Sequence, residues 1–262
     1  MNTPLDTAAL SLEAEGTDAA RLRFYERIAD AELFILLEQE AEGDQIAPRL
    51  FPVEGQTFVL AFDLPERLSD FADGPAPYAA LSGRLLTQML AAEGFGLGLN
   101  LEVAPSSHLL DPQAIAWLAE TLTNAPSETQ ATPDTIAPPA GLPEALITAL
   151  DTKLAMAEGL ARSAYLVSVT YENAQKTHLL GFVGAIPEAE PSLARAVSEA
   201  LTFSGIEAGA LDVGFFRAAD PITPLLAKHG LRFDLPQLSQ SQTPGTNPGM
   251  NPDQPRNYAN SL

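Results

Sequence analysis

Residues 94–112, GFGLGLNLEVAPSSHLLDP, gather glycines, a serine pair, a histidine and an aspartate in one stretch. Three chemistries ask for such residues. A phosphate loop needs its glycines in a turn between a strand end and a helix N-terminus, where backbone N–H groups can face the anion. Gly94, Gly96 and Gly98 instead fall in a strand pattern after a helix, and no Walker lysine follows. They read as a glycine-rich strand that lets another backbone come close. A hydrolase triad needs Ser, His and Asp converging from separate elements. Ser106, Ser107, His108 and Asp111 are near neighbours in sequence, with no G-x-S-x-G elbow around them. They read as turn formers and helix caps. A metal site needs paired ligands, but His108, His178 and His229 stand on separate elements and the chain has no cysteine. The acidic run EQEAEGD (38–44) lacks EF-hand spacing and reads as a solvated loop. No catalytic, cofactor-binding or metal-ligating residue is therefore assigned, and the expectation is a protein that is not an enzyme.

The elements that would carry these residues are readable from periodicity. A helix is expected from Asp18, with Leu22, Tyr25, Ile28 and Ala29 on one face. ELFILLE reads as a buried strand, IAPRLFP and TFVLAFD as a hairpin about Glu54-Gly55, and Asp63-x-x-Glu66 as the start of a short helix through Phe71. Ser82 caps a further helix that Gly94 ends. FGLGLNLEV alternates, with Phe95, Leu97, Leu99 and Leu101 on one side and Gly96, Gly98, Asn100 and Glu102 on the other. Asp111-Pro112 opens a helix with Ile115, Leu118 and Leu122 inward and Trp117 on its flank. Beyond residue 142 come a leucine-striped helix, the strands AYLVSVTY and THLLGFV, a helix after Pro191, the strand ALDVGFF, a helix ended by Gly230, and LRF.

Two proline-rich segments divide the 262 residues. NAPSETQATPDTIAPPAGLP (124–143) reads as a linker, and the Gln/Asn/Pro/Ser-rich stretch from Pro236 as a disordered tail. Residues 1–16 are expected to be loose. The expected fold class is α+β: two small mixed-sheet domains, 17–123 and 142–235, with a linker over 124–141 and a tail over 236–262. Acids number 34 against 14 bases, a net charge of −20, which disfavours nucleic acid and anionic membranes and favours a soluble, self-repelling cytosolic protein or one that meets a basic partner. With no secretory leader and no long apolar run, a cytoplasmic location is the default expectation.

The first domain resembles the SseB family, named for enhanced serine sensitivity. The likeness rests on RFYERIADAELFILLE (23–38), IAPRLFPVEGQTFVLAFD (46–63), PAPYAALSGRLLTQML (75–90) and GFGLGLNLEVAPSSHLL (94–110), with Phe62-Asp63 and Asn100 matching its pattern. Residues after the linker resemble the family's companion C-terminal domain. The resemblance implies a bacterial protein with no established reaction, and with family labels touching serine sensitivity and type III secretion. It implies no catalytic residues. The leading expectation is a cytoplasmic adaptor or regulator binding a protein partner of unknown identity. Its surface would include Phe95, Gly96, Gly98, Asn100, Trp117, Phe215 and Phe216, as a groove or an edge for strand addition. Alternatives are a small-molecule-binding accessory of serine or sulfur metabolism and a secretion effector or chaperone. Oligomeric state is left open.

Overall fold

The computed structural model of the protein describes residues 2–41, 43, 46–123, 133–171, 175–205 and 211–237. The tail expected beyond these, and part of the acidic run 38–44, lie outside the described residues.

The architecture is α+β, as the periodicity indicates. Helix α1 (Pro4–Glu15) and helix α2 (Asp18–Asp30) precede strand β1 (Glu32–Leu36). The hairpin β2 (Leu50–Val53) and β3 (Gln56–Phe62) turns at Glu54 and Gly55, both at positive φ as a tight two-residue turn requires. Then follow α3 (Pro65–Phe71), β4 (Tyr78–Ser82), α4 (Gly83–Glu93), β5 (Gly96–Leu99), β6 (His108–Leu110) and α5 (Pro112–Thr123). The sheet runs β4-β1-β3-β5-β6, with β2 also on β3, and β3 and β5 are parallel. Alternation along the strands gives it two buried faces. Leu33, Ile35, Val59, Ala61, Leu97 and Leu99 meet α1, α2, α4 and α5. Leu36, Leu60 and Phe62 meet Leu68 of α3 and the side chains of Leu101 and Val103.

The second half opens with β7 (Pro133–Ala137) and α6 (Glu144–Ala155). It continues with β8 (Ser163–Tyr171), β9 (Lys176–Val183), α7 (Glu190–Phe203), β10 (Leu211–Phe216), α8 (Thr223–His229) and β11 (Leu231–Asp234). Its sheet runs β10-β9-β8-β11, with β7 on the far end of β8. As with β3 and β5, a helical crossover makes β9 and β10 parallel. Helices α6 and α7 cover one face and α8 the other.

Two expectations need correction. Of the residues 1–16 expected to be loose, those described, 2–16, are ordered about a helix. Thr3 and Asp6 form a reciprocal capping box, Gly16 closes α1 in the left-handed conformation, and Leu5 and Ala9 enter the first core. Nor is the proline-rich segment wholly a linker, because Thr135–Ala137 pair with Ser168–Thr170. Proline is tolerated there because Pro133 begins an edge strand, where an absent N–H costs no ladder bond.

Helices α2 and α4 meet backbone to backbone. Gly83 donates its N–H to Ala31, and a Cβ on it would lie 1.7 Å from the carbonyl oxygen of Ile28. Gly83→Ala is expected to lose about 3 kcal/mol through forced separation of the two helices. A shift of the denaturation midpoint measures it; an unchanged midpoint would contradict this packing.

Candidate functional site

Three places bring chemistry-bearing side chains together. The first lies at the C-terminal ends of the parallel strands β3 and β5. Asn100 leaves β5 at positive φ; its Oδ1 accepts from the Asp63 N–H at 3.0 Å and its Nδ2 donates to Ser106 Oγ at 2.8 Å. Ser106 Oγ donates in turn to Asp6 at 2.6 Å. Arg67, one turn into α3, grips both oxygens of Asp6 and donates to Asp63 at 2.7 Å. Thr3 closes the ring, donating its hydroxyl to Asp63 and its N–H to Asp6. Burial alone would raise the Asp6 pKa. The hydrogen bonds from Arg67 and Ser106 outweigh it and hold the carboxyl well below the usual range. Every converging polar group here bonds another within the chain, so the cluster fastens α1 and the β5–β6 turn to the sheet.

The second cluster joins the two halves. Lys153 of α6 is buried with its Nζ 2.7 Å from Asp30, 3.3 Å from Glu199 and 3.5 Å from Glu26. Arg84 of α4 forms a two-pronged pair with Glu199 of α7, at 2.7 and 2.9 Å. Three carboxylates thus face two cations. Burial pushes the Glu26 carboxyl up despite Lys153, and its Oε1 makes no hydrogen bond among the described residues. Burial opposes ionisation of Glu199 as well, but the Arg84 and Lys153 contacts lower its pKa. Phe203, at the end of α7, is fully buried in the first half's core, so the contact is apolar as well as ionic.

The third is a shallow groove of about 400 Å³ between α2 and α5, lined by Asp18, Arg21, Leu22, Tyr25, Ala114 and Trp117. The Tyr25 and Trp117 rings lie 5.7 Å apart, tilted by 48°. Trp117 is 39% exposed.

Of the residues expected to form an interaction surface, Trp117 alone is exposed. Gly96, Gly98 and Asn100 are buried, because β5 is covered on both faces. A Cβ on Gly96 would strike the Phe58 ring at 2.3 Å, and one on Gly98 would strike Leu60 at 2.4 Å. The glycines thus make room for the second core of the sheet, and the glycine face is no open groove. The alternation also ends early: Leu101 packs over Gly98 rather than beside Leu99, because Asn100 turns the chain. Phe95 rests on the first core, Phe215 stacks on Phe182 at 5.5 Å, and Phe216 lies against Gly181 and Gly214. His108 packs on Phe24 with ring centroids 4.6 Å apart, and His178 Nε2 is 3.0 Å from the Ala140 carbonyl oxygen. Among the described residues, no acidic, histidine or cysteine side chains cluster as a metal site would require. No helix among them is long and apolar enough to cross a membrane.

Residues 5–117 match the family described as the SseB protein N-terminal domain. No curated protein and no solved structure matches the chain.

Replacing Asp6 by Asn strands the buried Arg67 guanidinium with one partner and is expected to cost about 3 kcal/mol at neutral pH. Because the Asp6 pKa is depressed on folding, its contribution is fully present above the ordinary value of 3.8 and is lost as pH falls through the folded value. Acid denaturation curves of the variant should therefore be shallower below that pH; an equally steep curve contradicts the assignment. Glu26 carries the opposite sign. Its raised pKa means the folded state holds a proton that the unfolded state has released, so stability declines as pH rises from the ordinary value of 4.5 through the folded one. Glu26→Gln should lack that decline and be more stable than the parent at pH 7, as urea titration across pH would read out.

Proposed function

We propose that this chain, which carries an SseB protein N-terminal domain over residues 5–117, is a non-enzymatic cytoplasmic adaptor. Its working surface is the Tyr25–Trp117 groove. The observation that carries the reading is the contrast between its polar clusters and that groove. The charged side chains that converge inside the protein are satisfied by one another or sealed at the contact between the halves. The exposed aromatic groove is left with an apolar floor and an acid and a base at its rim. Tryptophan and tyrosine beside arginine, here an exposed Trp117 and a half-buried Tyr25 next to Arg21, are residue types that dominate protein–protein binding energy. A net charge of −20 favours a basic partner. The second half, companion to the SseB domain in this reading, buttresses α2 from behind through α7, leaving the groove face of the helix outward.

Affinity capture of the tagged full chain from its own cells, with Trp117→Ala alongside, tests this. A stoichiometric partner is expected with the parent, bound about 30-fold more weakly by the variant, the effect of losing a ~2 kcal/mol anchor. Capture by both proteins alike, or by neither, would overturn the groove as the working surface.

A further inference from the structure

We infer that the cavity at the carboxyl end of β9 binds a small organic carboxylate, with Arg162 and Ser163 as the groups that grip it. The lining comes from the second half alone, so the inference stands or falls independently of the Tyr25–Trp117 groove.

The cavity has a volume of about 400 Å³, within the range of small-molecule sites. Arg162, Ser163, Val183, Arg232 and Gln237 line it. Open sheets most often hold ligands outside the carboxyl ends of parallel strands. Val183 ends β9, and β10 runs parallel beside it. The backbone there is tied, since Gly184 donates its N–H to the Phe216 carbonyl at 2.9 Å where β10 ends.

Three observations point to a carboxylate. The first is charge. The chain carries 34 acids against 14 bases, yet two arginines line this cavity and no acid does. Arg232 is held by Asp234 at 2.6 Å, with both side chains more than half exposed, so it contributes positive field rather than a free fork. The Arg162 guanidinium makes no ion pair and no hydrogen bond among the described residues. Its stem lies against Gly184, where a Cβ would stand 2.9 Å from Arg162 Cδ, so the fork is carried on a braced arm. The second is an unused hydroxyl. Ser163 lines the cavity although it is only 8% exposed, and its hydroxyl bonds no described residue. A buried donor of this kind costs free energy unless something outside the chain satisfies it. The third is the first half of the same chain. There the Asp6 carboxylate, at the ends of the parallel strands β3 and β5, is held by an arginine fork and a serine hydroxyl, Arg67 and Ser106. Arg162 and Ser163 bring the same two donor types to the end of β9, and no described carboxylate meets them. An arginine fork matches the two oxygens of a carboxylate. Val183 offers apolar surface to a carbon skeleton, and Gln237 forms a fixed wall, its Nε2 donating to the carbonyls of Ala161 at 3.0 Å and Leu235 at 2.9 Å.

The test titrates the full chain with sodium succinate by isothermal calorimetry, with sodium sulfate alongside, in a buffer free of chloride. The parent should bind succinate saturably at one site per chain, against the repulsion of a net charge of −20. Arg162→Gln should weaken binding about tenfold or more, the effect of losing charge-assisted hydrogen bonds. Arg162→Lys keeps the charge and loses the fork, so it should fall between the two. Ser163→Ala should weaken binding about fivefold, the effect of one neutral hydrogen bond. Arg195→Gln removes an exposed arginine elsewhere in the same half and should bind as the parent does. That graded order, in proteins whose circular dichroism matches the parent, is not one that loss of folding could produce. The absence of a saturable response to succinate in the parent overturns the site. So does equal binding by the parent and Arg162→Gln, or an equal loss in Arg195→Gln. Sulfate binding as tightly as succinate overturns the assignment to a carboxylate.

Discussion

Lys153 is a cation with almost no access to water, contributed by the second half of the chain to a wall of carboxylates from Glu26, Asp30 and Glu199. Glu199 on α7 belongs to the same half as Lys153, while Glu26 and Asp30 stand on α2 of the other, so docking adds the two carboxylates of α2, Asp30 the nearest, to the one Lys153 already meets. Desolvating an ammonium group costs several kcal/mol unless well-placed carboxylates surround it, and separating the halves would leave the first with two carboxylates, Glu26 and Asp30, against the single cation Arg84 at a surface shaped for burial. Phe203 adds an apolar stake driven into the first core beside the same helices. The excess acid of the cluster is the weak point of the arrangement. With three carboxylates for two cations, Glu26 is held against its preference for water, which makes the contact most favourable when that carboxyl carries a proton.

The second constraint is the end of the parallel strand pair. In open sheets with parallel strands this is where ligands usually sit. Here the position is filled from within: α1 delivers the Asp6 carboxylate to Arg67, Ser106 and the Thr3 N–H, and Asn100 ties the ends of β3 and β5 to the turn that carries Ser106. Of Phe62, Asp63 and Asn100, the residues that match the family pattern in sequence, Asp63 and Asn100 are partners in one hydrogen-bond network and Phe62 packs in the core beside it. The hydrogen bonds of that network tie the ends of β3 and β5 to α1, α3 and the turn that carries Ser106.

The sequence displayed the elements whose signals are local. The β2–β3 turn, the Ser82 cap, the Gly94 terminus and the Asp111-Pro112 helix start each obey a rule confined to a few residues, and each stands where the rule puts it. What it concealed depends on distant partners. Asp6 reads as a surface acid until Arg67, sixty-one residues on, is placed against it; the one available clue was the Thr3-x-x-Asp6 capping box. The glycines of β5 suggest an open face because periodicity cannot tell which side of a strand another layer will cover. Phe58, Leu60 and Leu101 supply that layer. Lys153 carries no local signal in the leucine-striped helix, because its partners Glu26, Asp30 and Glu199 come from α2 and α7. Trp117 was visible as a residue flanking the buried stripe of α5, but its companion Tyr25 was assigned to the apolar face of a different helix.

The two halves are joined through Lys153, Arg84 and Phe203, and the α2–α5 groove lies on the outside of the first. The most direct measurement follows urea unfolding by two probes at once. Trp117 emission reports the first half alone, and far-UV circular dichroism reports helices and strands of both. The two transitions are predicted to coincide in the parent protein and to separate in Lys153→Met, where the buried one of the two cations that join the halves is gone. Separate transitions in the parent would contradict the claim that the buried charge cluster makes the chain a single cooperative unit.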